Sequence, residues 1–455
     1  MKDKESVEVI INDLEQNPNC IHGPTILFLS KKGKKYFSCS AVRDKSCFYL
    51  EYEKFERYKN ERLQSKHNFK KETIEDLRKL NLSERIFCAT CGEFIKSIQS
   101  HEFHSYKLID NDLFLQQPSL FLPQLNNDKV NAQYFFDNNT LEFFKHIFNN
   151  MKLKKIICMG TPRLHDFIRT QNCNAQSILL DIDERFQAFY PEEFICYNML
   201  NNYFINGNVD EARLFDFIKE DTSLDSLSHH CLIMDPPFAA RTELLCNTIK
   251  EVARKYFIIH KKILPIFVIY PYFNENHVKK VMPEMEMLEY QVTYMNHYAF
   301  NENYKGRKEG SPIRIFTNID QRHIKYPSLP NYRFCKFCHR FVALNNLHCR
   351  ICKICPSKNG ATYHHCNRCI KCVKPNYVHC EECDRCVQKT EHECKTYQIH
   401  QECWYCFEKG HVEKYCKFMK KHQRSNSNGF CRICKDKRHN LITCPSKNIF
   451  RKAIC

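Results

Sequence analysis

Long apolar runs are missing from this 455-residue sequence. The longest apolar region, YFIIHKKILPIFVIYPYF from Tyr256, is interrupted by His260, Lys261 and Lys262, which leaves no span of about 20 residues to cross a bilayer. The opening MKDKESVEVIINDL carries no apolar stretch ahead of a small-residue cleavage site, so secretion is not expected. Acidic residues are too few to balance the bases: 52 Asp and Glu face 69 Lys and Arg, a formal net charge of +17. Such a surplus favours a polyanionic partner, nucleic acid first among them. Tryptophan occurs once, at Trp404, and glycine only ten times, so no Gly-rich loop follows any candidate strand. The length itself argues against one ordinary domain and for roughly three or more units.

Cysteine and histidine are abundant, with 29 and 22 residues. In a chain without a secretory leader this composition points to zinc rather than disulfides. Most cysteines lie before residue 92 or after residue 334; only Cys158, Cys173, Cys196, Cys231 and Cys246 fall between. Two Cys/His-rich regions therefore flank a cysteine-poor middle, about Leu125 to Arg322, in which strand-like and helical runs alternate as in an α/β domain. Seven strands are expected there: KKIICMG, SILLDID, FICYNML, HCLIMDPPF, LPIFVIYPYF, LEYQVTYMNH and PIRIFTN. The first five are continuous apolar runs of the kind buried in parallel sheets, and the last two are expected to form an antiparallel hairpin. Between the first two Cys/His groups, residues 53–86 are highly charged and read as an exposed helical linker.

The first metal constellation is Cys20, His22, Cys39 and Cys47, spanning residues 16–52. Two close ligands from a turn and two from facing strands supply the four N or S donors that zinc requires. The frame resembles the GRF-type zinc finger, with Gly33, Lys34, Lys35, Tyr36 and Phe37 in place of that family's core. The second, in residues 87–108, is Cys88, Cys91, His101 and His104: a Cys pair in a knuckle turn and a His pair expected along one helical face. Its loop is too short to imply base reading in a major groove.

Residues 331–396 carry HCxxCxxC three times, preceded by a CxxC pair and followed by His392 and Cys394. Sixteen ligands make four interleaved sites with none left over: Cys335, Cys338, His348, Cys355; Cys349, Cys352, His365, Cys372; Cys366, Cys369, His379, Cys386; and Cys380, Cys383, His392, Cys394. Part of this ladder resembles the Cys-rich core of DHHC-type S-acyltransferases. That activity is rejected, because the family embeds its site among transmembrane helices and the Asp of its motif is replaced here by Thr362 or Tyr363. In residues 400–447, two stretches fit the zinc-knuckle spacing: Cys403, Cys406, His411, Cys416, and Cys431, Cys434, His439, Cys444. Zinc knuckles bind single-stranded RNA, and Trp404 offers a stacking surface for a base. In all, about eight zinc ions are expected.

The tetrapeptide Asp235, Pro236, Pro237, Phe238 ends the fourth apolar run, where ligands bind beyond the carboxyl ends of an open α/β sheet. It resembles the [DNS]PP[YFW] signature of amine-methylating S-adenosylmethionine-dependent methyltransferases. An aryl amine is a poor nucleophile because its lone pair conjugates with the ring. Asp235 and the Pro236 carbonyl would accept its two N–H bonds, the prolines would fix that geometry, and Phe238 would stack on the base. On the cofactor side, Gly160 follows the first strand, and Asp181 lies 21 residues later at the end of the second, where an acid binds ribose hydroxyls. Asp183 is the alternative partner.

With GTPRLHDF, LLDID, YNML, DPPF and IRIFTN in order between finger, ladder and knuckles, the chain resembles the zinc-finger CCHC-type methyltransferases that make N6-methyladenosine in large-subunit ribosomal RNA. The resemblance implies a seven-stranded Rossmann-like α/β methyltransferase domain at residues 125–322, flanked by small zinc-stabilised modules. It further implies S-adenosylmethionine contacts at Gln133, Tyr134, Phe135, Phe136, Gly160, Arg163, Asp181, Met199, Leu200 and Asp235, ribosomal RNA as partner, no membrane association, and a nuclear or nucleolar location with a cytoplasmic one as alternative. Two features depart from the family's pattern: the last knuckle, and Phe238, Ala239 and Ala240 after DPP, where glycines are usual. Blander readings stand beside these: DPPF as a strand-ending turn, the QYFF stretch as an aromatic core patch, Asp181 as a helix-capping acid. At the level of the whole chain, the alternative is a zinc-rich RNA-binding scaffold with an inactive methyltransferase domain. A DNA or protein-glutamine methyltransferase is disfavoured by the knuckles and by Asp rather than Asn at 235.

Overall fold

The computed structural model describes residues 7–30, 32–41, 47–57, 74–95, 97–124, 133–171, 173–219, 229–297, 310–382, 384–389, 392 and 411. Cys383, Cys394, Trp404 and every knuckle ligand but His411 lie outside these residues, as do positions 58–73 of the charged linker. The chain divides into two compact units, Met1–Ser328 and Leu329–Cys455. Among the described residues no helix is long and apolar enough to cross a membrane.

The first unit is built on an eight-stranded sheet: β1 (Lys155–Met159), β2 (Gln176–Asp181), β3 (Phe194–Asn198), β4 (Tyr203–Phe204), β5 (His230–Met234), β6 (Ile266–Pro271), β7 (Glu286–Leu288) and β8 (Ile313–Thr317). Their spatial order is β4-β3-β2-β1-β5-β6-β8-β7. The five strands from β3 to β6 run parallel. Every side chain of β3, β5 and β6 is buried, which is why these strands are unbroken apolar runs rather than alternating ones. β8 inserts between β6 and β7, antiparallel to both.

The sheet departs from expectation at two places. The two-residue β4 pairs antiparallel with β3 and adds an eighth strand at one edge. The sixth expected strand, LEYQVTYMNH, enters the sheet only at Leu288; the strand itself is Glu286–Leu288. Beyond it Tyr290, Val292 and Tyr294 are buried in alternation, so the segment is extended, but it pairs outside the sheet with residues 133–137, through a bridge between Phe136 and Tyr294.

Helices cover the sheet. In α1 (Asn138–Met151) the Asp137 side chain caps the Thr140 amide, and Leu141, Phe144 and Phe148 with Phe143 and Ile147 form the buried face at helical spacing. Each such fully buried side chain contributes about 1.5–3 kcal/mol. The short α2 (Pro162–Thr170) starts on a proline, whose fixed φ suits the first helical position. The helices α3 (Asn208–Lys219), α4 (Thr242–His260) and α5 (Glu275–Val281) complete the layers, α4 burying Leu245, Ile249, Val252 and Tyr256.

Two small modules precede the sheet within the same unit. In the first, Glu8–Ile10, Ile26–Leu29, Lys35–Ser38 and Tyr49–Glu51 form a four-stranded sheet beside the hairpin Asn19–Cys20/Gly23–Pro24. Gly23 adopts a φ of +94° and lies so near Tyr203 that a Cβ would meet that ring at 2.3 Å. In the second, Glu93–Ile95, Ile86–Cys88 and Tyr106–Leu108 form a three-stranded sheet, and Phe87 and Phe94 pack on Phe189 with ring centroids 5.0 and 5.1 Å away. Its His pair does not lie along an α-helix: His101 closes the 3-10 turn Gln99–His101 and His104 follows it. Of the linker, the described parts are a 3-10 turn, Tyr52–Arg57, and a five-residue helix, Ile74–Arg78.

Among its described residues the second unit forms three hairpins, Tyr332–Cys335/Arg340–Ala343, His364–Cys366/Lys371–Val373 and Tyr377–Cys380/Arg385–Gln388. Among the described residues its buried apolar side chains are few: Val342, Ala343, Val373 and Val387 beside the cysteines Cys335, Cys355 and Cys386.

Candidate active site and metal clusters

Strand order reverses between β1 and β5, and a crevice opens at such a switch point beyond the carboxyl ends of the strands. Gly160 leaves β1 there and Asp235 leaves β5. The Asp235 amide locks the two ends together by donating to Met159 O at 3.0 Å, and the Gly160 amide ties the same place to β2 by donating to Leu180 O at 2.9 Å. Gly160 has a φ of +67°, and a Cβ on it would stand 2.8 Å from the Asp235 carbonyl oxygen and 2.6 Å from Met199 Cε. A side chain at 160 would therefore close the crevice.

Asp235 Oδ1 accepts a hydrogen bond from Tyr294 Oη at 3.1 Å. Burial pushes the Asp235 carboxyl well above the usual carboxylate range, and the Tyr294 bond pulls it part of the way back. Burial likewise raises the Tyr294 phenol, helped by the adjacent Asp235 carboxylate. Phe238 stacks on Tyr134, with centroids 5.6 Å apart and planes at 19°. Tyr294 and His297 close round the same ring, at 5.5 and 4.6 Å from Tyr134. Behind the motif the Ala240 amide donates to Pro237 O at 2.7 Å, and Tyr270 Oη donates to Ala240 O at 2.6 Å. Neither Ala239 nor Ala240 has a positive φ, so the loop needs no glycine.

The stretch Gln133 to Phe136 reaches this site from the chain's other side. Phe135 N donates to Asn296 Oδ1 at 2.8 Å, Asn296 Nδ2 donates to Gln133 O at 2.9 Å, and Met295 N donates to Phe135 O at 2.8 Å. Phe135 and Phe136 are buried, whereas Gln133 and Tyr134 are partly exposed. Gln133 Nε2 donates to Asp183 at 3.2 Å, and Arg185 grips the same carboxylate through Nε at 2.8 Å and Nη2 at 2.7 Å. Asp183 is thus occupied by side chains, while Asp181 accepts backbone amides, that of Asp183 at 2.9 Å among them. Burial, with Asp183 alongside, raises the Asp181 carboxyl to about 7. Arg163, on the first turn of α2, is buried; its Nη1 donates to Gln117 at 2.8 Å, and its Nε has no partner among the described residues. The Asp181 carboxyl at the end of β2, a turn without a Cβ at Gly160 and an Arg163 Nε without a partner among the described residues fit a nucleoside cofactor. Met199 and Leu200 form the turn after β3, with Met199 O accepting from Thr248 Oγ1 at 2.8 Å.

Among the described residues five Cys/His groups could each hold a metal ion, their four donor atoms lying within 4.8 Å of one another: Cys20, His22, Cys39, Cys47; Cys88, Cys91, His101, His104; Cys335, Cys338, His348, Cys355; Cys349, Cys352, His365, Cys372; and Cys366, Cys369, His379, Cys386. A tetrahedral zinc with S and N donors has ligand edges of about 3.5–3.8 Å. Observed Sγ···Nδ1 separations bracket that value, for example 3.5 and 3.4 Å to His22, 3.6 and 3.1 Å to His104, and 3.7 and 3.2 Å to His365.

A family model described as Probable N6-adenine methyltransferase matches residues 127–321, the segment that contains the whole sheet. Over 377 residues, 76% of each chain, the sequence is 33% identical to the rRNA N(6)-adenosine-methyltransferase ZCCHC4 of Xenopus tropicalis. It is 34% identical over 373 residues to the Homo sapiens protein of the same name, which covers 75% of this chain and 71% of that one. The chain belongs to this methyltransferase family. Membership in the rRNA N(6)-adenosine-methyltransferase family makes it an enzyme of the α/β methyltransferase class.

Sequence reasoning did not single out Tyr294, Asn296 and His297, the residues of this family member that pair with the QYFF stretch and face DPPF. The alternation of Tyr290, Val292 and Tyr294 marks the segment as extended, but its end from Thr293 to Asn296 pairs with residues 133–137, while the Val292 amide still donates to Ile313 O of β8 at 3.2 Å. Asn198 and Asn201 were missed as well. They flank the Met199–Leu200 turn and bind the first finger.

Proposed function

We propose that this enzyme transfers a methyl group from S-adenosylmethionine to N6 of an adenosine in RNA, with large-subunit ribosomal RNA as substrate. The observation that carries the reading is the Asp235 carboxylate, held by Tyr294 at the sheet's switch point beside the stacked Phe238 and Tyr134. That both relatives are named rRNA N(6)-adenosine-methyltransferases supports the choice of rRNA.

When bound, S-adenosylmethionine supplies an electrophilic methyl group. The chain's own residues prepare the acceptor. Tyr294 holds Oδ1 of Asp235, which leaves Oδ2 and the Pro236 carbonyl to accept the two N–H bonds of an exocyclic amine. Gripped at both hydrogens, the nitrogen is turned out of conjugation and its lone pair is freed. The adenine stacks on the Phe238–Tyr134 pair. Overall the nitrogen loses one proton, and Oδ2, made more basic by burial, is placed to receive it. Asp181 serves the ribose hydroxyls, and Arg163, Met199, Leu200 and the Gln133 to Phe136 stretch line the remainder of the cofactor site.

The same reading takes the five described clusters as zinc sites, with the fourth ladder set and the two knuckles bringing the total to about eight. The knuckles and their basic flanks grip RNA: residues 401–455 hold 13 Lys and Arg against 4 Asp and Glu. It also implies residence in the nucleus or nucleolus, where ribosomal RNA is made, with the cytoplasm as the alternative. The deciding experiment incubates the full chain with labelled S-adenosylmethionine and total RNA, then locates the label by RNA size and nucleoside identity. N6-methyladenosine in the large ribosomal RNA is expected, and Asp235→Ala should abolish it with at most a modest loss of cofactor affinity. No label from the wild-type chain would favour the inactive scaffold; unchanged turnover in Asp235→Ala would overturn the role of DPPF.

A further inference from the structure

The turn after β3 that carries Met199 and Leu200 is held from outside the sheet domain. Asn198, the last residue of β3, uses its side-chain amide in both directions. Its Oδ1 accepts the Leu200 amide at 3.1 Å, while its Nδ2 donates to the His22 carbonyl at 2.9 Å and to Ser40 Oγ at 2.8 Å. On the far side of the turn, Asn201 Nδ2 donates to the same His22 carbonyl at 3.1 Å and to the Pro24 carbonyl at 2.8 Å. Both asparagines are buried, at 2% and 4% exposure. His22 is a donor of the first Cys/His cluster, and Ser40 follows another of its donors, Cys39. The contact is close throughout, since the glycine beside His22 leaves no room for a Cβ against Tyr203.

We infer that Asn198 and Asn201 are positioning residues through which the first metal cluster sets the cofactor-binding turn Met199–Leu200. A carbonyl oxygen has two lone pairs and accepts both amides, but it places them only as firmly as its own peptide is held. The hairpin Asn19–Cys20/Gly23–Pro24 holds the His22 peptide, and a metal at its imidazole would fix it further. With the cluster filled, the carbonyls of His22 and Pro24 stand where the two asparagines need them. With the cluster empty, the finger loses its anchor and the turn loses four hydrogen bonds. The finger thereby contributes to cofactor affinity without touching the cofactor. This inference rests on the assignment of Met199 and Leu200 to the cofactor site.

Asn201→Ala is the cleanest variant, because its Oδ1 has no partner among the described residues and only the two bonds to the finger are lost. Calorimetry on the intact chain should show the Kd for S-adenosylmethionine rising about five- to tenfold, the effect of one or two hydrogen bonds. The KM for S-adenosylmethionine should rise with it, while kcat at saturating cofactor and the KM for RNA stay unchanged. Ser40→Ala, which removes a single bond, should give a smaller change in the same direction. Cys47→Ser, which opens the cluster, should weaken cofactor binding in the wild type but add nothing in an Asn198→Ala/Asn201→Ala background. Thermal unfolding of each variant identifies any that fail to fold, and Ser40→Ala keeps the test open if the asparagine variants do. If Asp181→Asn weakens cofactor binding while Asn201→Ala and Ser40→Ala leave it untouched, the inference is wrong. If Met199→Ala and Asp181→Asn are also silent, it is the cofactor site itself that has been misplaced.

Discussion

Replacing Tyr294 by Phe removes a single oxygen, the one 3.1 Å from Asp235 Oδ1, and leaves the ring that packs at 5.5 Å from Tyr134, 5.4 Å from Phe136 and 6.0 Å from Phe238. A hydrogen bond to a charged group contributes about 1.5–3 kcal/mol, which corresponds to roughly ten- to more than a hundredfold in rate if it is realised in the transition state. We therefore expect kcat for RNA methylation to fall by that factor in Tyr294→Phe. The Kd for S-adenosylmethionine should not move. The pH profile gives an independent readout. Because the Tyr294 hydroxyl stabilises the ionised Asp235, removing it pushes an already raised carboxyl still higher, so the acid limb of kcat should shift to higher pH. Single-turnover methylation across pH 5.5 to 9, with calorimetry at the two ends, measures both effects. A variant with wild-type kcat and an unmoved acid limb would refute the role given to Tyr294, and weaker cofactor binding at intact kcat would relocate it to the cofactor site.

Asp181, raised to about 7 by burial, is neutral in much of the protein below that pH, so affinity for S-adenosylmethionine should fall as pH drops from 8 to 6 and become flat in Asp181→Asn. Its effect on stability has the opposite sense: a carboxyl raised on folding favours the folded state below its ordinary range near 4 and loses that contribution as pH rises through 7, which pH-dependent urea unfolding of the wild type and Asp181→Asn would show. Metal analysis of the full chain should return about eight zinc ions, and a count of three or four would refute the interleaved assignment in the second unit. Removing residues 401–455, with their net charge of +9, should weaken RNA binding and flatten its salt dependence while cofactor affinity persists; an unchanged salt slope would put the RNA grip in another module.

Which parts of this fold could be seen in the sequence follows from how each segment is buried. Strands covered on both faces, such as His230–Met234 and Ile266–Pro271, announce themselves as unbroken apolar runs, and their order alone puts Asp235 and Gly160 at one switch point. Asp181 is legible from its distance to Gly160 because a single short helix, Pro162–Thr170, joins the first two strands. The segment from Leu288 to His297 misled for a physical reason. Period-two burial shows that a chain is extended and half-covered, not what it pairs with, and its partner at residues 133–137 lies more than 150 positions away. Asn198 and Asn201 were invisible for the opposite reason. A polar side chain that binds backbone carbonyls of a distant module leaves no periodic trace, and only the packed structure shows why the turn needs two amides. The i, i+3 spacing of His101 and His104 suits a helix, but a 3-10 turn ending at His101 and the next turn, closed by the His104 amide on His101 O at 2.8 Å, meet the same requirement.

The ladder divides neighbouring residues between neighbouring clusters: His348 faces one cluster and Cys349, the next residue, faces another, just as His365 and Cys366 do. With so few buried apolar side chains among that unit's described residues, the ions would take the place of a hydrophobic core there. A module of this construction cannot release one ion and keep its neighbours' geometry. If three sites fill together, its occupancy follows about the third power of free metal, so it passes from one-tenth to nine-tenths folded over roughly a fourfold concentration range, where independent sites would need about eightyfold. The hairpins would then act as a threshold on available zinc, assembled above it and absent below.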